Sequence, residues 1–414
     1  MDKAERRIRD AKRAAKAILG EKNTKRVKQV LRVEGSRAEQ KILRQEKQLA
    51  DRTGKLESRI TVLESRTKKN GAEMKKIREE VQREFRRRDL WAQRKAEVRH
   101  LARGRRVCVI KCPAPDSPAR ERWGDWNYCM MLKRNLEREG LYVIVDCYED
   151  WYCDSGAELV IVMRGLYGYR PDRRNENCRY ILWIVSHPDQ VTDEECALYD
   201  QVWVDSVSGR DVLAERLPVP VRTEIVPVDT ELFCPASPAR GEKDKDKPDE
   251  PFYPRVFVGN ARGIRRNVTE WCERNDITLH VWGTGWDRLY PDSRNLIFHD
   301  PAPYDQVPEI YRHAKVILND HYEDMLAMGY VNNRLPEVLA CGQPIVSDGG
   351  RQFGALFSAG VLYYEDEKSF LECIRRAETE YDALRQDALA AIPALREKLA
   401  ASVWARRVRE MLEK

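Results

Sequence analysis

The sequence predicts an α/β protein of two similar units behind a helical coiled-coil arm, and three observations carry that reading. From residue 105 onward, short apolar runs rich in β-branched residues alternate with helix patterns. Runs of this kind are parallel strands buried on both faces. The series is interrupted by a charged, Pro-containing stretch, RGEKDKDKPDEPFYP at 240–254, and then resumes. Such a stretch reads as a linker or surface loop. Upstream of both units, apolar residues recur every seven positions over 40–84. A chain of 414 residues is long enough for two or three domains, each with its own core.

The arm comes first. Residues 3–19 form a basic, Ala-rich amphipathic helix pattern closed by Gly20. Ile42, Leu49, Leu56, Leu63, Asn70 and Ile77 then mark one heptad position, and Ile60, Met74 and Val81 its companion. Asn70 places a polar residue in the seam, a device that sets register or strand number. Glu46 and Thr53 weaken the start of the repeat. Residues 1–106 hold 35 basic and 16 acidic residues, so the arm carries an excess of 19 positive charges while the whole chain carries +6. A basic arm on an acidic body points to two roles in one chain. Its plainest reading is a solvated stalk that joins copies of the chain through 40–84. The alternative is attachment to an anionic membrane surface. Nucleic acid ranks last, because neither aromatic interleaving nor a binding motif accompanies the charge.

Eleven cysteines lie scattered without metal-ligand spacing, and the N-terminal residues are too charged for a signal peptide. Both features fit reduced thiols in a cytoplasmic protein. No run approaches a membrane span.

The first unit, 105–240, has strand patterns at 105–111, 141–147, 158–163, 179–185 and 201–205, with a helix pattern over 126–139 closed by Gly140. The second, 250–394, has them at 255–260, 278–283, 295–299, 315–320, 343–348 and 361–364. A last amphipathic helix over 395–413, with Leu399, Val403, Trp404, Val408 and Leu412 on one face, is expected to pack back across the two units. The arm takes residues 1–100. Two parallel sheets joined by a linker leave a cleft between their carboxyl ends, where open α/β sheets bind ligands.

One stretch at that cleft carries chemistry: VNNRLPEVLACGQPIVSDGG, residues 331–350. The strand before it ends in polar residues, and a helix begins near Val331–Leu335, behind Asn332 and Asn333. A helix start offers unpaired N–H groups and partial positive charge, which favour phosphate. Arg334 adds a cation whose fork suits phosphate oxygens. Glu337, one turn further in, is placed to accept both hydroxyls of a ribose. Pro336 lies in the first turn, where its missing N–H costs little. These are the parts of a nucleoside-diphosphate site.

Over residues 250–380, and most strongly over 315–370, the chain resembles the C-terminal signature of GT-B glycosyltransferases. NNRLPEVLACGQPIVSD followed by LFSAGVLYYEDEKSFLECI carries the resemblance, which is nearest to the branch of CgeB-like spore-maturation proteins, neighbours of the large family-four transferases. It implies two Rossmann-like domains, a nucleotide-sugar donor held mainly by the second, and no metal or other cofactor. It also implies that Glu337 binds the donor ribose. The family-four pattern has a further glutamate eight residues earlier, on the donor sugar. That position is Gly329 here, with Asp324, Asn332 and Asn333 as the replacements at hand.

VFVGNARGIRRN, 256–267, matches the family's loop where a basic residue neutralises the diphosphate, and Arg262, Arg265 and Arg266 are the candidates. In VWGTGW, 281–286, Gly283 and Gly285 let a base lie against the backbone beneath Trp286. In ERWGDWNY, 121–128, Gly124 stands where family members turn near the phosphates. Asp125 is either a catalytic carboxylate or only a helix cap. His187, at the end of LWIVSHPD, is either a donor-sugar contact or a structural strand-end histidine. The six histidines have no metal spacing.

The function implied is transfer of a sugar from a nucleoside diphosphate to a hydroxyl of a glycan or lipid-linked acceptor, with retention and without metal, in the cytoplasm and near a membrane. Should the reaction invert, Asp125 or His187 is the base to suspect. Two rivals remain: an epimerase of the same architecture, and a scaffold assembled by its coiled coil with a degenerate body.

Overall fold

The computed structural model describes residues 93–151, 154, 156–173, 175, 177–236 and 253–413, together with Asp51 and the helical stretches 53–58 and 81–82. The chain divides into two compact units, Met1–Glu84 and Phe85–Lys414. In the first unit, Leu56 and Val81 are helical. Ile42, Leu49, Ile60, Leu63, Asn70, Met74 and Ile77 and the basic helix expected over 3–19 lie outside the described residues, as does most of the linker expected over 240–254.

The second unit holds two six-stranded parallel sheets. The first is built from β1 (Val107–Lys111), β2 (Tyr142–Asp146), β3 (Leu159–Arg164), β4 (Arg179–Ile184), β5 (Gln201–Val204) and β6 (Val221–Thr223). Its order is β2-β1-β3-β4-β5-β6. The second is built from β7 (Tyr253–Val258), β8 (Leu279–Trp282), β9 (Leu296–His299), β10 (Ala314–Asn319), β11 (Ile345–Ser347) and β12 (Val361–Tyr363). Its order, β12-β11-β10-β7-β8-β9, is that of a doubly wound dinucleotide-binding sheet. Every neighbouring pair is parallel, in the first sheet and in the second. The apolar runs make this sheet because both faces are covered. Along β3, Val160 and Val162 enter one core while Leu159, Ile161 and Met163 enter the other. β6 escapes the sequence reading because it is three half-buried residues at a sheet edge.

The helices that matter here are α1 (93–102), α2 (Gly124–Arg138), α3 (Val207–Arg216), α4 (Asn267–Arg274), α5 (Arg334–Ala340), α6 (Glu367–Thr379), α7 (Tyr381–Leu399) and α8 (Ala401–Glu413). α1 buries Val98 and Ala102 in the first sheet's core. The α/β body therefore takes in residues that the sequence reading gives to the arm.

The chain crosses between the sheets twice, and the crossings meet. Val228 pairs with Ala400 in an isolated parallel bridge. The Val228 N–H donates to Leu399 O at 2.8 Å, and the Ala401 N–H donates to Val228 O at 2.9 Å. The single helix expected over 395–413 is therefore two, broken where Ala400 turns extended at φ −62, ψ 138. Alanine does not break helices; the bridge to Val228 does. Beyond it α8 lies on α2 and sends Trp404 into the first domain, stacked on Trp183 at 5.7 Å and edge-on to Trp203 at 6.4 Å.

Trp404 is fully buried, and its Nε1 has no hydrogen-bond partner. Replacing Trp404 by Ala is expected to cost about 3–5 kcal/mol in denaturant unfolding. Trp404→Phe, which keeps a ring and removes an orphaned donor, is expected to cost far less.

Candidate functional site

In the second sheet, neighbours β7 and β10 mark the point where the strand order reverses. Ligands bind beyond the carboxyl ends there. The loop after β7 carries the arginines. Arg266 starts α4, and its Nη2 donates to the Asp320 carbonyl at 3.0 Å and to the Asp320 carboxylate at 2.6 Å. Its guanidinium lies 4.0 Å over the Tyr322 ring, and Arg262 lies 5.7 Å over the same ring. Arg265 turns elsewhere, donating to Leu289 O at 2.8 Å and covering Tyr290 at 4.6 Å. Of the three candidates, two flank the loop after β10 and the third does not.

The glycines have a steric reason. A Cβ on Gly283, at φ 144, would stand 2.2 Å from Gly259 O. No other residue lets the ends of β7 and β8 approach so closely. Gly285, at φ 83, starts the short helix Trp286–Leu289. Trp286 itself is fully buried and donates its Nε1–H to Gly259 O at 2.7 Å. It therefore cannot cover a base, contrary to the sequence expectation. An open pocket of about 600 Å³ lies instead beside Trp282 and His299, with Asp300, Pro303 and Glu309 in its wall. Trp282 and His299 are stacked there at 4.0 Å.

α5 begins at Arg334, with Asn333 as its cap. The Arg334 fork is spent inside the domain. Its Nε donates to Val258 O at 3.0 Å and its Nη2 bonds the same carbonyl. Its Nη1 bonds Asn319 Oδ1. It therefore ties the ends of β7 and β10 together, and only its charge, not a free fork, is left for a phosphate. Asn332 donates to Asn319 Oδ1 at 2.8 Å and to Asp320 O at 3.0 Å. Its own Oδ1 is buried without a partner. Asn333 makes no side-chain cap.

Glu337 is buried and accepts a hydrogen bond from the Tyr304 hydroxyl at 2.9 Å. Burial pushes its carboxyl up to about 8, against the pull of Tyr304, Arg334 and Tyr128. Gly329 has φ 67, and a Cβ there would meet Gln352 Nε2 at 2.3 Å and Ser208 Oγ at 2.5 Å. The position has no room for a glutamate.

From the first domain, α2 brings Gly124 and Asp125 to the cleft at its N-terminus. No side chain caps that helix, so Asp125 is not its cap. Burial raises the Asp125 carboxyl above its ordinary value, while the charges of Arg262 and His187 pull it down. His187, left-handed at φ 52, sits at the end of β4 with Nδ1 3.0 Å from Ser186 Oγ. Asp125, His187 and Arg262, from three distant sequence segments, thus lie within electrostatic reach of one another.

Sequence reasoning missed several residues. His321 is fully enclosed, with Nδ1 2.6 Å from Asp348 Oδ1. Its Nε2 accepts the Asn332 N–H at 3.1 Å. This arrangement needs the Nδ1–H tautomer, and it anchors the loop ahead of α5. Asp320 and His321 end one strand and Asp348 its neighbour, a juxtaposition available once β10 and β11 are paired. Tyr128 follows Asp125 by three residues, so the helical repeat alone puts both on one face. Tyr304 gave no sequence signal. Among the described residues, no group of three or more His, Cys, Asp or Glu is placed to hold a metal.

Comparison with known proteins agrees with this architecture. Residues 262–413 match the family described as glycosyl transferase-like. Sucrose-phosphate synthase from Thermosynechococcus elongatus superposes with a TM-score of 0.54 at 13% identity, over 75% of this chain and 98% of that one. The Anabaena protein HepE in complex with UDP-glucose superposes at 0.53 and 9%, over 74% and 99%. An alpha-glucosyltransferase in complex with UDP and a 13-mer DNA gives 0.52 and 9%, over 75% and 99%. No curated protein sequence matches. At such identities the likeness is one of fold: the body of this chain has the two-domain GT-B architecture, and most of its second domain matches the glycosyl transferase-like family.

Proposed function

We propose that the chain is a glycosyltransferase that moves a sugar from a nucleoside diphosphate to a hydroxyl of a glycan or lipid-linked acceptor. The observation that carries this reading is the two-domain architecture itself, two parallel sheets of which the second has the dinucleotide-binding order, with Asp125 and His187 of the first domain in electrostatic reach of Arg262 of the second. A buried carboxyl group, Glu337, stands in the same second domain. Superposition on proteins solved with UDP-glucose and UDP supports a nucleotide-sugar donor.

In this reading Glu337 accepts the ribose hydroxyls. The pocket beside Trp282 and His299 takes the base. Arg262 and Arg266 stand at the diphosphate, where fixed cations stabilise charge as it develops on the leaving group. The bond from the anomeric carbon to the phosphate oxygen breaks, and the bond to the acceptor oxygen forms on the same face. The acceptor proton passes to the departing diphosphate, so retention needs no separate base and no metal. His187 lies beside the transferred sugar. The rise of the Asp125 carboxyl favours a second reading, inversion with Asp125 as base, and the anomeric configuration of the product distinguishes the two. The CgeB-like branch, assembly through residues 40–84 and a cytoplasmic place at an anionic membrane complete the proposal. The basic arm and its heptad support those parts.

Thermal unfolding against a panel of nucleoside diphosphates, with chelator present, tests the donor site. A ligand at 100 times its Kd adds about 2.7 kcal/mol, and the midpoint is expected to rise by a few degrees with one base. No shift with any nucleotide would remove the transferase reading and favour the scaffold. Glu337→Ala is expected to weaken binding of the preferred nucleotide by about 1–3 kcal/mol in calorimetry, the loss of two hydrogen bonds to an uncharged carboxyl.

The buried carboxyl also makes a pH prediction. Its ordinary value is 4.5 and its folded value about 8, so between them the folded protein holds a proton that the unfolded chain has lost. The stability contributed by this proton is complete below about pH 4.5 and is lost as pH rises through about 8. Chemical denaturation from pH 5 to 9 is expected to show a decline that Glu337→Gln flattens.

A further inference from the structure

An aromatic shelf lies at the carboxyl ends of the first sheet, outside the donor site. The loops after β1, β2 and β3 leave that sheet at its own point of reversal, where open α/β sheets take ligands. Tyr148, in the short turn Tyr148–Asp150 after β2, stacks on Tyr167, in the loop after β3, with ring centroids 4.0 Å apart and planes 27° apart. Tyr148 is 37% exposed, and Leu166, next to Tyr167 in the chain, is 48% exposed. Neither tyrosine hydroxyl has a hydrogen-bond partner among the described residues.

The shelf is held from below. Trp151 is fully buried and donates its Nε1–H to Cys112 O at 2.8 Å. It stands edge-on to Tyr148 at 5.4 Å and to Tyr167 at 6.4 Å. It also meets Tyr169 at 6.1 Å, and Lys111 Nζ lies 5.3 Å over that ring. The Tyr148 N–H donates to Ala114 O at 3.0 Å, which ties the turn to the loop after β1. The crevice at this switch point is thus filled, and two rings with free hydroxyls form its surface.

We propose that Tyr148 and Tyr167 form an acceptor subsite, on which an uncharged sugar ring of the acceptor glycan lies. This assignment deepens the reading of the chain as a glycosyltransferase and rests on it. Three observations select the occupant. A pyranose has an apolar C–H face rimmed by hydroxyls, and half-exposed tyrosines offer an apolar ring with a polar tip. The turn that carries Tyr148 also carries Glu149 and Asp150, both exposed. Their charge disfavours phosphate, sulfate and anionic lipid at this place. The shelf also adjoins His187. A Cβ on Gly165, the first residue after β3, would stand 3.3 Å from Ser186 Oγ, and that oxygen lies 3.0 Å from His187 Nδ1. In this assignment the acceptor runs from His187 along residues 165–167 to Tyr148.

Saturation-transfer NMR of the full chain tests the subsite. The probes are the methyl glycosides of glucose, galactose, mannose and N-acetylglucosamine, with maltose, cellobiose and chitobiose. At least one is expected to bind. Tyr148→Ala and Tyr167→Ala are each expected to weaken that binding about tenfold, the loss of one aromatic contact. Tyr148→Phe keeps the ring and is expected to stay within about threefold of the unsubstituted chain, the share of one hydroxyl. Its retention separates a lost shelf from a lost fold. Sugar binding that neither alanine variant weakens overturns the subsite, as does the absence of binding to every sugar of the panel. Equal loss in Tyr148→Phe and Tyr148→Ala overturns the stacked ring as the contact. The nucleotide panel of the melting experiment decides the parent reading separately. If the tyrosines hold a sugar in a chain that no nucleotide stabilises, the transferase and the acceptor role fall together, while the shelf stands as a glycan-binding site.

Discussion

The site depends on where the chain turns back. Val228 and Ala400 pair where the two crossings meet, and just beyond, Trp404 enters the first domain's tryptophan cluster. That pairing forces α7 and α8 apart and lays α8 against α2, the helix whose N-terminus faces the cleft. Asp125, Tyr128 and the indole stack of Trp183, Trp203 and Trp404 are thus parts of one assembly. Packing of rigid aromatic faces fixes α2 far better than a flexible linker between domains would.

Charge placement explains why the second domain, and not the first, has the features of a nucleotide site. The first sheet reverses its order between β1 and β3, and there a buried ion cluster fills the space. Lys111, fully enclosed, lies 2.7 Å from Asp146 and 2.5 Å from Asp154. Arg94 from α1 pairs with Asp146, and Tyr169 donates to Asp154. Buried charges persist only when paired, and a cluster so closed leaves no donor for a phosphate. In the second sheet, by contrast, the equivalent crevice has glycines at its strand ends and arginines beside it. Arg266 is held by Asp320 while Arg262 remains exposed.

One stretch of the second domain is packed tightly against the first. The segment from Tyr322 to Val331, which includes the short helix Glu323–Ala327, buries Met325 and Tyr330 against the first domain, and Gly329 is squeezed between Ser208 and Gln352. A low-dielectric setting strengthens every remaining charge interaction. Burial likewise lifts the carboxyls of Asp125 and Glu337 above their ordinary values.

All the strands but β6 were legible because parallel strands covered on both faces need continuous apolar runs, and such runs are visible without any knowledge of partners. The strand-end glycines were legible too, since only glycine permits the approach of β7 to β8. Arg262, Asp125 and His187 were legible as residue types at the carboxyl ends of predicted strands and at a helix start. What escaped depends on distant partners. The 3.6-residue periodicity runs unbroken through Ala400, and only the bonds to Val228 end the helix there. The residue types of Arg334 and Trp286 announce a fork and a stacking face, yet Val258 and Asn319 take the first and burial removes the second. Tyr304, His321 and Asp348 have no local pattern at all. The sequence by itself determined which segments are strands, which ends are polar and which turns must be glycine, because sterics and burial act within a few residues. Only the tertiary structure decided which of those polar ends face each other and which side chains are already satisfied, because hydrogen bonds and desolvation depend on neighbours far away along the chain.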